Sequence, residues 1–199
     1  LAEQMLDVSR PRPGAPALCA PVTTARDVVR LVTAGVSSEE FQVSVSGDPK
    51  LYAAIAGDAL KQVLLNLVQN AREAASECGA ERTERGSRVT IAVARDATGI
   101  TIIVDDNGPG IAADKRERVF DPFYSTKSDL QGVGLGLFVA EGLVRSAGGR
   151  IGVSDAPGGG ARFTLVLPES TALALDSRVE GTAAETAGAS AEAHDARAG

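Results

Sequence analysis

A chain of 199 residues with 44% apolar side chains can bury one sizeable core with tails, and its formal charge of -6 argues against a general nucleic-acid or anionic-membrane surface. A phosphate site remains open only as a local basic patch; Cys19 and Cys78, far apart and without CxxC or Cys/His spacing, argue against a disulfide framework or a zinc site and fit a reducing cytosol. No run approaches the roughly 18–20 apolar residues of a membrane span, and no basic start leads into an apolar stretch as in a signal peptide. Residues 1–13 read as the end of a preceding helix and a linker: Leu1 to Ser9 carries the last helical turns and RPRPG, Arg10 to Gly14, stops them. A start at Leu1 rather than Met fits a piece of a longer protein, which leaves an upstream membrane anchor open.

The globular region, residues 14–168, then alternates helical and strand patterns. Thr23 to Ala34 predicts a short helix capped by Thr23 or Thr24, followed by strands at Phe41–Val45 and Leu51–Ile55. Asp58 is placed to cap a helix over Leu60–Ser76, whose apolar residues recur at helical spacing. Val89–Val93 and Ile100–Val104 predict an antiparallel pair turned at Thr98-Gly99. Phe138–Ala147 continues a helix that Gly148 and Gly149 end, and strands at Ile151–Val153 and Phe163–Leu167 close the domain at Pro168. Without a strict βαβ repeat, the order favours a two-layer α/β sandwich with a mixed sheet over a doubly wound parallel sheet. Residues 169–199, rich in Ala, Glu, Ser and Gly, read as an unpacked tail.

Four stretches carry candidate chemistry. In LLNLVQNAREA, Asn66 and Asn70 fall together on one margin of the apolar helical stripe. As mediocre helix formers they either bond to neighbouring backbone as boundary residues or offer amide oxygens to a hard cation such as Mg²⁺. IIVDDNGPGI runs a strand into Asp105 and Asp106, either as an Asx-type turn or as a buried acceptor for an adenine amino group; Asp106 is favoured by its spacing to Gly108 and Gly110. RVFDPFYSTK gathers Phe120, Phe123 and Tyr124 around a proline, the phenylalanines reading as anchors to the core. Lys127 offers a point charge to a terminal phosphate, and Ser128 to Gln131 looks like a hinged lid. QGVGLGL, with Gly132, Gly134 and Gly136, leads into a helix N-terminus, as an anion cradle would, yet fits neither the Walker pattern nor GxGxxG.

Taken in order, these stretches resemble the ATP-binding catalytic domain of sensor histidine kinases, in the superfamily shared with DNA gyrase, Hsp90 and MutL: NLVQN is similar to the N box, DDNGPG to the G1 box, FDPFYSTK to the F box and GVGLGL to the G2 box. The resemblance spans roughly Asp48 to Pro168, and MLDVSRPRP is similar to the end of the dimerisation helices in kinases of the nitrogen-regulatory type. It implies a Bergerat-type fold, with helices covering one face of the sheet and ATP between the helix layer and the lid. Asn70 is implied as the main Mg²⁺ ligand with Asn66 assisting; Asp106 accepts from adenine, and Gly108, Gly110 and Ile111 accommodate the base. Lys127, Gly132, Gly134, Leu135, Gly136 and Leu137 are implied as phosphate contacts. Two departures stand out: Glu73 occupies a position where many relatives have a lysine or arginine, and Ala161 one where many have a small hydroxyl residue.

The resemblance further implies transfer of the γ-phosphoryl group to a histidine on a dimerisation domain absent from this chain, then to a response regulator. The full-length protein would be a cytoplasmic homodimeric kinase or one anchored to a membrane. Hydrolysing relatives such as gyrase carry a glutamate where Asn66 stands, and an amide cannot act as that general base. The alternatives are an ATP-driven clamp of the gyrase kind and a non-enzymatic ATP-binding module.

Overall fold

The computed structural model describes residues 17–76, 86–124 and 134–170. The readings of residues 1–13 and of nearly all of 169–199 fall outside them, as do Cys78, Lys127, Gly132 and the lid at Ser128–Gln131. A five-stranded sheet in the order β1-β2-β3-β5-β4 is built from Phe41–Gly47, Ser87–Asp96, Gly99–Asp106, Arg150–Asp155 and Ala161–Leu167, numbered β1 to β5 in chain order. β1 runs parallel to β2 and every other pairing is antiparallel, so the sheet is mixed. Among the described residues three α-helices, α1 (Pro21–Val32), α2 (Gly57–Ser76) and α3 (Gly136–Ser146), pack over it.

Alternation decides which face they cover. In β3 Ile100, Ile102, Val104 and Asp106 are buried while the residues between them are half-buried, and β5 repeats the pattern with Phe163, Leu165 and Leu167. These meet Leu60, Val63, Leu64, Leu67, Val68 and Ala71 of α2 in one core. The stripe recurs at three and four residues, which is why α2 is a helix and why its opposite margin is free to carry polar groups. α2 is also the crossover that lets β1 and β2 run parallel.

Local chemistry shifts some boundaries. α1 starts at Pro21, two residues before the expected threonine cap, because proline suits the first helical position, where no donor is needed. Thr24 instead donates its hydroxyl to the Ala20 carbonyl at 3.2 Å. Asp58 lies within the first turn of α2, which already includes Gly57. Leu51–Ile55 forms no strand: Ala53 alone bridges to Cys19 on one side and Glu169 on the other, so it pins two chain segments without building a ladder. Glu169 is also held by Arg95 at 3.2 Å. Among the described residues no helix is long and apolar enough to cross a membrane.

Candidate functional site

The two aspartates at the end of β3 go to opposite faces, as a period of two requires. Asp105 faces away from the helices, where Arg162 donates to both its oxygens at 2.7 Å. Asp106 turns inward and is 8% exposed, the one buried charged side chain among the described residues. Its Oδ1 accepts the backbone N–H of Gly108 at 2.8 Å and that of Ala161 at 3.0 Å. No described residue hydrogen-bonds Oδ2, so Oδ1 alone fixes the side chain. Burial pushes its pKa up from the usual carboxylate value, and the two backbone N–H groups pull in the opposite direction.

The loop after Asp106 is held from several sides. Asn107 accepts the Arg88 N–H at 2.8 Å and donates to the Gly86 carbonyl at 3.0 Å, tying the loop to the start of β2. At Gly108 an added Cβ would stand 3.2 Å from that of Ala74, so the missing side chain lets the loop lie against α2. Gly110 and half-buried Ile111 follow, and Arg116 donates through Nε to the Ile111 carbonyl at 3.0 Å and through Nη2 to Asp155 at 2.6 Å. Spacing gave no warning of Asn107, of the Arg116 pairing with Asp155 or of the Ala161 amide, whose partners are distant in sequence.

On the adjoining wall, α2 presents Asn66 and Asn70, both half-buried and one turn apart. Asn66 donates through Nδ2 to the Gly136 carbonyl at 2.8 Å and accepts from Gln62 Nε2 at 3.0 Å. The amide of Asn70 makes no hydrogen bond to a described residue. Glu73 lies farther along α2, also half-buried. Opposite them α3 begins at Gly136, with Leu135 in the capping position and no side-chain cap, so among the described residues no capping side chain meets the first-turn amides, including that of Leu137. Phe123 N–H donates to the Gly134 carbonyl at 3.0 Å, which ties the segment after Phe120 to the one that starts α3. Gly134, at φ +67°, permits this approach, since an added Cβ would stand 2.7 Å from the Phe123 carbonyl carbon.

The two phenylalanines of this segment part company. Phe120 packs on the core, as expected of an anchor, but Phe123 is 70% exposed and itself has φ +62°, a costly conformation for a bulky residue. The anchoring reading therefore holds for Phe120 only. Arg118 stacks over the Tyr124 ring at 5.0 Å.

A cavity of about 320 Å³ between the end of α1 and the outer side of α2, lined by Leu31, Phe41 and Val68 among others, includes none of the polar residues above. Among the described residues these elements offer one buried acceptor, one amide without a hydrogen-bond partner and one helix start without a side-chain cap. That combination suits a flat base with a donor at one end and an anion at the other. Among the described residues no group of three His, Cys, Asp or Glu could hold a metal unaided. A cation here would rely mainly on the anion's oxygens, with amide help from Asn70 and Asn66, and that fits the habit of Mg²⁺.

The family model for histidine kinase-, DNA gyrase B-, and HSP90-like ATPases matches residues 56–171. Sensor histidine kinase ZraS of Escherichia coli O157:H7 is 38% identical over 141 residues, which is 70% of this chain and 29% of that protein. The chain thus spans less than a third of that relative. The nucleotide-free catalytic domain of histidine kinase ThkA superposes with a TM-score of 0.63 at 26% identity, covering 77% of this chain and 95% of that one. Full-length ShkA in complex with AMPPNP matches with a TM-score of 0.63 at 28% identity, over 78% of this chain and 31% of that one.

Proposed function

Because the chain belongs to the family of histidine kinase-, DNA gyrase B- and HSP90-like ATPases, as the catalytic domain of a sensor histidine kinase, we propose that it binds Mg²⁺-ATP and passes the γ-phosphoryl group to a histidine on a separate dimerisation domain. The observation that carries this reading is Asp106: a buried carboxylate with one oxygen held by two amides and the other without a hydrogen bond to any described residue. Such an acceptor favours adenine, which presents an amino group at C6, over guanine, which has a carbonyl at that position. In this reading Gly108, Gly110 and Ile111 accommodate the base, and Gly134, Leu135, Gly136 and Leu137 contact the phosphates; Lys127 and Gly132 are assigned the same role from the sequence.

Asn70 is the principal amide ligand for Mg²⁺ in this reading, with Asn66 beside it. The bound cation would supply charge neutralisation at the phosphates. The protein's own part is positioning and electrostatics, which is most of what phosphoryl transfer asks of an enzyme. Asn66 cannot take a proton from water, so hydrolysis is slow and the γ-phosphoryl group is kept for the histidine. This argues against an ATP-driven clamp. The exposed apolar side chains of Phe123, Phe138 and Val139 offer surface for the phosphoacceptor domain to cover. A response regulator then receives the phosphate, and the whole kinase acts as a cytoplasmic or membrane-anchored homodimer, of the nitrogen-regulatory type.

Asn70→Ala tests the metal assignment without threatening the helix, since alanine is the better helix former. Calorimetry should show Mg²⁺-ATP affinity reduced about tenfold or more, and ATP binding in EDTA unchanged, as expected when a metal contact is removed. Equal losses with and without Mg²⁺, or none, would overturn the assignment. In the parent protein, ATP should bind and GTP should not; equal affinities would refute the role of Asp106.

A further inference from the structure

Gln62 is an exposed residue one turn before Asn66 on α2, outside every contact assigned above to nucleotide or metal. Its Nε2 donates to Asn66 Oδ1 at 3.0 Å, while Asn66 Nδ2 donates to the Gly136 carbonyl at 2.8 Å. The two ends of an asparagine amide have nearly the same shape, so their partners decide which way it points. The Gly136 carbonyl can only accept, which requires the NH₂ end there. Asn66 Oδ1 must then face the other way, and Gln62 supplies a donor to hold it. Gly136 itself does not lock the contact by shape, since an added Cβ would stand in ordinary contact, 3.7 Å from Asn66 Cγ. Core packing through Ala140 and Val144 already joins the body of α3 to the apolar stripe of α2; at the start of α3 the specific link is the hydrogen bond, and its direction depends on Gln62.

We propose that Gln62 is a positioning residue, whose amide orients Asn66 so that Asn66 ties the first residue of α3 to α2 across the cleft. α2 carries the metal-side amides and the start of α3 the phosphate-side backbone, so this tie fixes the first turn of α3 against α2. The structural half of the inference stands on the two hydrogen bonds; the functional half rests on the ATP reading of the site.

Three substitutions at this exposed position separate the possibilities with little risk to folding. Gln62→Glu keeps the shape but removes the donor, Gln62→Met removes it without adding charge, and Gln62→Lys keeps a donor. In the full chain without nucleotide, amide hydrogen exchange at Val139 and Ala140, in the first turns of α3, should quicken about tenfold in Gln62→Glu, the worth of one hydrogen bond, and stay near parental in Gln62→Lys. Unchanged exchange in Gln62→Glu would overturn the tie, and so would equal acceleration in Gln62→Lys. By calorimetry Gln62→Met should weaken Mg²⁺-ATP several-fold. If the parent binds Mg²⁺-ATP and Gln62→Met binds it equally well, the role in setting the site is overturned. If the parent itself fails to bind, the ATP reading fails instead, and the exchange result still decides whether Gln62 orients Asn66.

Discussion

Asp106→Asn is expected to lower ATP affinity about a hundredfold, as losing a hydrogen bond to a charged acceptor costs about 2–3 kcal/mol, while leaving the fold at least as stable. The substituted amide can still present an oxygen to the Gly108 and Ala161 N–H groups, because that geometry needs only an acceptor. Its NH₂ end then takes the place of Oδ2, where it faces the amino group of adenine as donor against donor. The same NH₂ suits a base with a carbonyl at that position, so discrimination of ATP from GTP should shrink together with ATP affinity. Stability should not fall, because the variant no longer buries a carboxylate.

The pH dependence has a defined sign. Burial raises the pKa of Asp106, so the folded protein binds this proton more readily than the unfolded chain. Its contribution to stability is therefore larger at low pH and is lost as pH rises through the folded-state value. Ligand binding runs the other way, since only the ionised group accepts from the base. ATP affinity should decline on acidification, beginning at a higher pH than for an exposed aspartate. Isothermal titration across pH, with thermal melts in parallel, checks both signs, and Asp106→Asn should remove this pH dependence from each.

The three consecutive glycines at 158–160 should differ sharply on substitution by alanine. Gly158 has no neighbour for an added Cβ, so Gly158→Ala should be close to neutral. Gly159 is equally open but sits at φ +85°, and Gly159→Ala should cost about 1 kcal/mol of stability from backbone conformation alone. Gly160, at φ +93°, adds a collision: its Cβ would overlap the Asp106 carbonyl oxygen and stand 2.6 Å from Oδ1. Gly160→Ala should cost about 3 kcal/mol or more, the sum of conformational strain and overpacking, and should displace the base-binding carboxylate. Thermal melts and ATP titration of the three variants give this order or contradict it.

Period and spacing made much of the scaffold readable. Asn66 and Asn70 fall on one helical margin because the apolar stripe of α2 is regular, and Asp106 points inward because β3 alternates without a break. Such patterns lie within one element. Ala161 reaches Asp106 across 55 residues of sequence, with Gly160 beside it, through the pairing of β3 with β5, and no local pattern announces that contact. For the same reason Ala161, read as a departure because it lacks a hydroxyl, serves through its backbone amide. Leu51–Ile55 misled because an apolar run need not find a ladder: Ala53 meets Cys19 and Glu169 as single bridges. Phe123 looked like its neighbour Phe120, yet the tie to Gly134 turns its backbone to positive φ and its ring outward.

The central claim is that the site holds ATP for transfer to a histidine rather than to water. The direct measurement incubates this chain with Mg²⁺ and γ-labelled ATP, with and without a separately made dimerisation domain carrying the phosphoacceptor histidine. The account predicts label on that histidine, and little phosphate release when the domain is left out. Sustained release of labelled phosphate without the domain, and none transferred to the histidine with it, would contradict the account.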